Sequence, residues 1–225
     1  KIIVEKVNNV NSEKIAGLTG DLTNMETCFI AKEFFNKTIK SKYLDCRNDN
    51  YYINNSSREN YIFNSKINGI EETDLLILIG TNPRYEATMV NARIRKAFVN
   101  NNTKIVSLND VGDLTYDYQC LNGKTKTIKD IFENNDKLSK QIIEAKKPIV
   151  IFGESFFKVK SANYLFNLSK EFLNKNNKLS DNWNPLNLLS TDASTVGNLD
   201  LDIIDKSNKI LDELHENKFE IIFLL

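Results

Sequence analysis

The chain has 225 residues, of which 41% are hydrophobic and 27% charged, so its composition predicts a globular fold and argues against disorder. Thirty Lys and Arg residues balance thirty Asp and Glu residues, and this zero net charge argues against nucleic acid as a partner. No stretch approaches 18 uncharged apolar residues, so the sequence predicts no direct membrane insertion.

Short apolar runs rich in aliphatic residues predict the strands, and several lack polar alternation. Continuous apolar strands are typical of parallel sheets covered on both faces. Because helical stripes separate the runs, we expect right-handed βαβ units in a Rossmann-like, three-layer α/β/α fold with a mostly parallel sheet. The predicted strands are Ile15–Leu18, Tyr43–Cys46, Leu75–Ile79, Ile105–Leu108, Ile149–Phe152 and Phe219–Leu225.

Apolar residues at helical spacing predict the helices between these strands. They are a helix starting near Thr23 (Met25, Cys28, Phe29, Phe35, Ile39), one near Pro83–Val99 (Met89, Val90, Ile94, Ala97, Phe98), one at about 158–174 (Ala162, Leu165, Phe166, Ser169, Phe172, Leu173) and one near 206–216 (Ile210, Leu211, Leu214).

Residues 47–66 and 175–202 fit neither pattern, and the aromatic residues of the first segment suggest that it is packed. Pro148 after two lysines predicts a break between a first α/β segment, 1–146, and a second, 147–225. The opening residues resemble the tail of a helix, and the last run is a strand with no turn after it. We therefore expect the chain to be a fragment of a longer protein, truncated at this strand.

The cysteines Cys28, Cys46 and Cys120 form no C-x-x-C pair, so the sequence predicts neither a zinc ribbon nor a local iron–sulfur ligand run. Cys28 lies in an apolar helical stripe and is expected in the core, whereas Cys46 ends a strand. The single histidine, His215, lies between acidic residues and is expected at the surface.

Two turns after strands could hold a ligand. Gly17–Thr23 could cradle a phosphate at a helix N-terminus, but a tight turn with Thr23 as N-cap is favoured because the dinucleotide fingerprint is incomplete. In Gly80–Arg84, Pro83 suits the first helical position, and Thr81 or Asn82 the cap. Ligands favour this edge of an open sheet, yet capping is the preferred interpretation.

A basic cluster on the next predicted helix could hold an anion. Arg93 and Lys96 fall on one side of that helix, away from Ile94, with Arg95 between them. A solvated or subunit-facing polar surface is the preferred interpretation.

Gly69–Lys96 resembles the 75 kDa subunit of respiratory complex I, which is the G subunit of bacterial NADH-quinone oxidoreductase. Within this segment, Gly80–Arg84 and Asn91–Lys96 are the most specific parts. The resemblance covers nearly the whole chain, and further similar segments are Ile15–Asp21, Asp113–Tyr116, Glu144–Pro148, Trp183-Asn184 and Ala193–Asp200.

The resemblance implies a position in the C-terminal part of that subunit, which is related to molybdopterin oxidoreductases such as formate dehydrogenase. The 2Fe-2S and 4Fe-4S clusters would lie in the N-terminal part of the parent protein. Active relatives carry a metal-binding Cys or selenocysteine near Cys46–Asn50, often followed by His, and an arginine-rich run near Asn109–Asp113. Here neither the Cys-His pair nor the arginines are present, which implies a degenerate molybdopterin site.

We therefore predict no catalytic, cofactor-binding or metal-binding residue in the chain. The predicted function is a scaffold domain of the iron–sulfur subunit of proton-translocating complex I, which transfers electrons from NADH to quinone. Its partners would be other peripheral-arm subunits, on the cytoplasmic face of the bacterial inner membrane or the mitochondrial matrix side. The alternatives are a fragment of an active molybdopterin-dependent oxidoreductase and a generic nucleotide-binding module.

Overall fold

A computed structural model describes residues 1–46, 53–203 and 209–225. Its strands are β1 (Ile15–Thr19), β2 (Leu44–Cys46), β3 (Leu75–Ile79), β4 (Lys104–Leu108), β5 (Gln119–Cys120), β6 (Pro148–Gly153), β7 (Leu186–Leu189) and β8 (Ile221–Leu224). Its α-helices are α1 (Ile2–Asn9), α2 (Met25–Glu33), α3 (Pro83–Glu86), α4 (Thr88–Asn101), α5 (Thr125–Phe132), α6 (Lys137–Glu144), α7 (Glu154–Phe157), α8 (Ala162–Lys175), α9 (Thr195–Asp200) and α10 (Lys209–His215).

The chain forms two compact units. Their boundaries do not coincide with the predicted break between residues 146 and 147. Unit 1 comprises Lys1–Asn50 and Asp192–Leu225, and unit 2 comprises Tyr51–Thr191. The strand that opens at Pro148 pairs with β3, so it belongs to the same sheet as the preceding segment. Pro148 therefore opens a strand within unit 2 and does not mark a boundary there.

Unit 2 is built on a parallel sheet in the order β5-β4-β3-β6-β7. The β3 strand lies at its centre, paired with β4 on one side and β6 on the other. Leu76 and Ile77 are fully buried and, as successive strand residues, point to opposite faces. The predicted strand Leu75–Ile79 is therefore confirmed, and it is the central strand of this sheet.

Helices cover both faces of this sheet. On one face, Leu76 and Leu78 pack with Val90 and Ile94 of α4. On the other, the ring of Phe152 lies 5.3 Å from that of Phe166 in α8. The predicted stripe of α8 is entirely buried, and the three-layer α/β/α prediction is confirmed for this unit.

The segment before β3 packs along the β7 edge, and its aromatic Tyr61 is buried. The Leu188 N–H donates to the Ile62 carbonyl at 3.1 Å, and the Asn64 side chain donates to the Leu186 carbonyl at 2.7 Å. The described part of the predicted irregular segment is therefore packed, as expected. It also covers an edge that would otherwise be free to pair.

Unit 1 contains a second parallel sheet, in the order β2-β1-β8. Because a single helix is predicted between them, the sequence leads us to expect the last strand to pair in parallel beside Ile149–Phe152 or to lie close to it. The expected pairing is wrong: Ile221 and Phe223 pair in register with Ile15 and Gly17. The chain returns to β1 through a segment that contains α9 and α10.

The helical faces differ from the predicted stripes in detail. Cys28 and Phe35 are buried as expected, with the buried Ala31 between them in the sequence, whereas Met25 and Phe29 are exposed. Met89 and Leu211 also face outward. Residues 206–208, at the start of the predicted last helix, lie outside the described part of the chain. Within the described residues, no helix combines the length and apolar character needed to cross a membrane.

Candidate functional site

The carboxyl ends of β3 and β6 form the point where the strand order of unit 2 reverses. Successive strands lead from β3 to β4 and β5 on one side, and to β6 and β7 on the other. Ligands of open α/β sheets bind in the crevice that such a reversal creates. This edge is therefore where a cofactor would be expected in unit 2.

The crevice is filled by the chain itself. A Cβ on Gly153 would meet the Gly80 carbonyl oxygen at 2.2 Å and the Thr81 Cβ at 2.6 Å, distances far inside van der Waals contact. Gly80 has φ +64°, a conformation that glycine adopts without strain. The Ser155 hydroxyl also donates to the Gly80 carbonyl. The two loops thus approach as closely as their backbones permit.

The helix start after β3 is already satisfied by side chains. The Asn82 side chain caps α3 by accepting from the Arg84 N–H at 3.2 Å, which confirms one of the two predicted caps. The Glu86 carboxylate accepts from the Asn82 N–H at 3.0 Å and from the Thr81 hydroxyl at 2.5 Å. A side-chain carboxylate therefore occupies a position that would suit a bound anion.

The turn after β4 carries carboxylates where phosphate recognition would need cations. The N–H of Thr115 and the guanidinium of Arg84 hold the pKa of Asp113 below its usual range. The N–H of Gly112 and the hydroxyl of Tyr118 do the same for the pKa of Asp110. Both groups are therefore firmly anionic, and Asp113 already engages the nearby arginine at 2.6 Å.

A buried carboxylate joins the ends of β6 and β7. Glu154 is 4% exposed and accepts from the Ser190 hydroxyl at 2.6 Å and the Thr191 N–H at 2.9 Å. The Thr191 hydroxyl donates to its second oxygen. The sequence analysis did not identify Glu154, Glu86 or the Arg84–Asp113 pair as parts of this edge. The signal that could have revealed Glu154 was its place as an acidic residue directly after the strand β6.

Cys46, which lies near the position where the resemblance places the metal ligand of active relatives, is enclosed in unit 1. Cys46 packs with Cys28 and Ile203, and burial, with a contribution from the Asp45 charge, raises the pKa of its thiol to about 12. A metal ligand must be a thiolate, so this protonated thiol is a poor donor. Residues 47–50, the rest of that neighbourhood, lie outside the described residues. No group of three or more His, Cys, Asp or Glu side chains suited to a metal occurs among the described residues.

In unit 1, the Gly17–Thr23 turn, for which a structural role is favoured over phosphate binding, contacts main chain. The Gly20 N–H donates to the Leu225 carbonyl at 2.8 Å, and the Thr23 hydroxyl donates to the same oxygen at 3.0 Å. Thr23 is expected to be the N-cap, but the N-cap is Asn24, whose side chain accepts from the Thr27 N–H at 2.8 Å. The turn is therefore structural in this conformation.

The basic cluster of α4 is paired with a carboxylate of the same chain. Glu71 pairs with Lys96 at 2.6 Å and with Arg93, and these two cations hold the pKa of its carboxyl below the usual range. Arg95 donates to the Thr115 carbonyl at 3.3 Å. His215 is exposed, as predicted.

Comparison with known proteins gives matches over nearly the whole chain. The model of the family described as molybdopterin oxidoreductase matches residues 1–225. The iron-sulfur protein 1 of mitochondrial NADH dehydrogenase [ubiquinone] from Solanum tuberosum is 32% identical over 94% of this chain and 28% of its own length. The NADH-ubiquinone oxidoreductase 75 kDa subunit of Reclinomonas americana is 33% identical over 95% of this chain and 33% of its own.

A bacterial relative gives the same result. The G subunit of NADH-quinone oxidoreductase from Rickettsia prowazekii is 33% identical over 89% of the chain and 30% of its own length. The chain therefore spans about a third of the length of the curated relatives that it matches.

Proposed function

This chain belongs to the molybdopterin oxidoreductase family, and we propose that it is a scaffold segment of the iron–sulfur subunit of complex I, known in bacteria as the G subunit of NADH-quinone oxidoreductase. The observation that carries this proposal is the similarity, at 32–33% identity, to the mitochondrial and bacterial forms of that subunit along 89–95% of the chain. The resemblance seen in the Gly69–Lys96 segment is thereby confirmed for the chain as a whole.

The carboxyl edge of unit 2 supports a scaffold role over cofactor binding. A molybdopterin dinucleotide carries a pyrophosphate, which needs cations or free N–H groups. The described edge instead presents Glu86, Asp110, Asp113 and Glu154, and its Arg84 is paired with one of them. The residues do not fit the group, so we assign no chemical step to it in this chain.

The remaining roles follow from the proposed identity. The parent subunit would hold the 2Fe-2S and 4Fe-4S clusters outside these residues, and would contribute to electron transfer from NADH to quinone within the complex. Its partners would be other subunits of the peripheral arm. Its location would be the cytoplasmic face of the bacterial inner membrane, or the matrix side in mitochondria. The segment itself would shape the subunit without catalysing a step.

The test is to purify the parent polypeptide from its source through a tag and to analyse what accompanies it. We expect other complex I subunits, NADH-dependent quinone reduction, and iron and sulfide without molybdenum or pterin. Molybdopterin in a 1:1 ratio with the polypeptide would reject the scaffold role. Such a result would establish the second candidate, an active molybdopterin-dependent oxidoreductase, which the family match over residues 1–225 favours.

A further inference from the structure

Unit 2 contains a polar cavity at the amino ends of its strands, opposite to the carboxyl edge. Its volume is about 490 Å³, which lies within the range of small-molecule sites, ~300–1,000 Å³. Its walls come from the segment before β3, the turn that enters β6 and the loop between α8 and β7. We call it the amino-edge cavity, and its charged residues and its tryptophan are Lys66, Glu72, Lys146, Lys147, Lys178 and Trp183.

Positive charge dominates the lining of the amino-edge cavity. The described residues that form it include four lysines and one glutamate, a net formal charge of +3. The chain as a whole has a net charge of zero, so the cations are concentrated locally here. A concave surface lined by charge of one sign focuses the electrostatic potential and attracts counter-ions. The cavity therefore favours an anionic ligand.

Contacts of Trp183 hold one side of the cavity in place. Its indole N–H donates to the Pro148 carbonyl at 3.0 Å. The ammonium group of Lys147 lies 5.1 Å from the centroid of the Trp183 ring and also pairs with Glu72. Lys147 and Glu72 thus balance each other, and they fix the wall without adding charge to it.

The other three cations of the cavity are not balanced in this way. Neither Lys66 nor Lys146 has an ion-pair partner in the part of the chain that the structure describes. The Lys178 ammonium donates to the Ala145 carbonyl at 2.6 Å, a neutral acceptor that leaves its charge in place. The Asp74 carboxylate, outside the lining, accepts from the Lys146 main-chain N–H at 2.6 Å and so fixes the turn that carries this lysine. Three unbalanced ammonium groups therefore line one cavity.

The chemistry of these groups indicates the class of ligand. A lysine ammonium is a compact point charge that binds carboxylate and phosphate oxygens. Three of them match an anion with more than one negative group. The amide side chains of Asn68 and Asn182 also line the cavity and supply further donors. This polar lining does not suit an apolar ligand.

We propose that the amino-edge cavity binds a small anion with two or more carboxylate or phosphate groups. Lys66, Lys146 and Lys178 bind its acidic groups, and the pair formed by Lys147 and Glu72 shapes the wall beside them. The inference goes beyond the proposed function and does not depend on it. The site lies at the opposite end of the strands from the edge where a family cofactor would bind.

The test measures how fast single lysine amines of the parent polypeptide react with an acylating reagent, with mass spectrometry as the readout. Inorganic pyrophosphate and citrate are the probes, and sodium chloride at matched ionic strength controls for charge screening. We expect at least one probe to slow the labelling of Lys66 and Lys146 by about 3-fold or more, because a bound anion stabilises the unreactive ammonium form. The rates at Lys126 and Lys140, exposed lysines outside the cavity, should not change.

A variant tests whether the lysines act as one site. Lys66→Gln removes a cation at an exposed position, so the probe concentration that half-protects Lys146 should rise by about 5-fold or more. Lys126→Gln is the matched control and should leave the protection of Lys146 unchanged. Thermal melts followed by circular dichroism check that both variants fold. If Lys66→Gln does not fold, Lys146→Gln with Lys66 as the readout gives the reciprocal measurement.

The two probes separate the possible ligand chemistries. Protection by pyrophosphate alone would identify phosphate groups, and protection by citrate alone would identify carboxylates. The proposal is overturned by protection from neither probe, by equal protection from sodium chloride, or by lysines that do not react even without a probe. Protection of Lys146 that Lys66→Gln does not weaken would overturn it as well. Molybdopterin in the parent would reject the scaffold role without affecting these results, so the two proposals can fail separately.

Discussion

The guanidinium of Arg84 lies 2.6 Å from both the carbonyl oxygen and a carboxylate oxygen of Asp113, so the turns after β3 and β4 are joined by an ion pair. Both turns belong to the edge where a family cofactor would place its phosphates. The arginine that could balance a phosphate is therefore already used by an aspartate of the chain.

The ion pair predicts a pH dependence of stability. The Asp113 pKa is lower in the folded chain than in the unfolded chain, because the Thr115 N–H and Arg84 favour the charged form. The contribution is therefore present above the ordinary Asp pKa and is lost as the pH falls below about 4.

Denaturant unfolding of the wild type and Asp113→Asn between about pH 6 and pH 3 checks this expectation. The wild type should lose more stability over that range than the variant does. Asp117→Asn, at an exposed neighbouring position, is the control and should follow the wild type. Parallel curves for Asp113→Asn and the wild type would show that the pair makes no contribution.

The second prediction concerns the centre of unit 2. Leu76→Ala and Ile77→Ala should each lower the free energy of unfolding by roughly 2–5 kcal/mol, the range for deleting a large buried aliphatic side chain. Each residue lies on a different covered face of β3, so each truncation leaves a cavity in a packed layer. Met89→Ala, on an exposed position of α4, should change it by less than about 0.5 kcal/mol. Equal small effects at all three positions would contradict the sheet assignment.

Local patterns in the sequence predicted the interior of unit 2 well. The run Leu75–Ile79 is a buried strand with the predicted bounds, because five consecutive apolar residues fit no exposed element. By contrast, β7 went unrecognised because Asn187 interrupts its apolar run. Its side chain is buried and accepts from the Ser65 N–H at 2.8 Å, a partner 122 residues away.

Long-range pairing could not be derived from the same patterns. The strand Ile221–Leu224 was recognised, but its partner was not, since an apolar strand can pair with any open edge. The candidate site depends on similar contacts: Glu154 meets Thr191 across 37 residues. The family resemblance pointed to the carboxyl edge of the sheet as the place of a cofactor. That carboxylates of the chain accept from the N–H and hydroxyl groups at this edge is seen only in the folded structure.

The third prediction concerns Glu154. Glu154→Gln replaces one acceptor oxygen with an NH₂ group, so one of the Ser190 and Thr191 donors loses its partner in a buried position. We expect the free energy of unfolding to fall by about 1–3 kcal/mol, the cost of leaving a buried polar group unsatisfied. Glu171→Gln on the exposed surface of α8 should have no measurable effect. An unchanged midpoint for Glu154→Gln would mean that the carboxylate does not join β6 to β7.

The fourth prediction concerns the thiols. Cys120 is exposed, whereas Cys28 and Cys46 are buried. Burial raises the pKa of both enclosed thiols, so little thiolate forms at neutral pH. The native chain should therefore react rapidly with one equivalent of Ellman's reagent, and with three after unfolding, one for each of its 3 cysteines. The Cys120→Ser variant removes the exposed thiol, so any rapid reaction that remains comes from a buried cysteine. Rapid reaction of Cys46 would make it a candidate metal ligand again.

The last prediction tests whether the crevice at the strand-order reversal is closed. Gly153 has φ −86°, which any residue can adopt, so replacing it with alanine adds steric contact without backbone strain. The new Cβ would meet the Gly80 carbonyl at 2.2 Å, and this neighbour is main chain that cannot rotate away. We expect Gly153→Ala to destabilise the chain by about 1–3 kcal/mol or more, as overpacking does. Gly69→Ala is the matched control, because its Cβ would lie 3.7 Å from the Trp183 ring, in ordinary contact. If Gly153→Ala and Gly69→Ala both unfold at the same denaturant concentration as the wild type, the loops that carry Gly80 and Gly153 are separated in solution. A ligand-sized crevice would then remain at this edge, and the active-oxidoreductase alternative would gain the space that its cofactor requires.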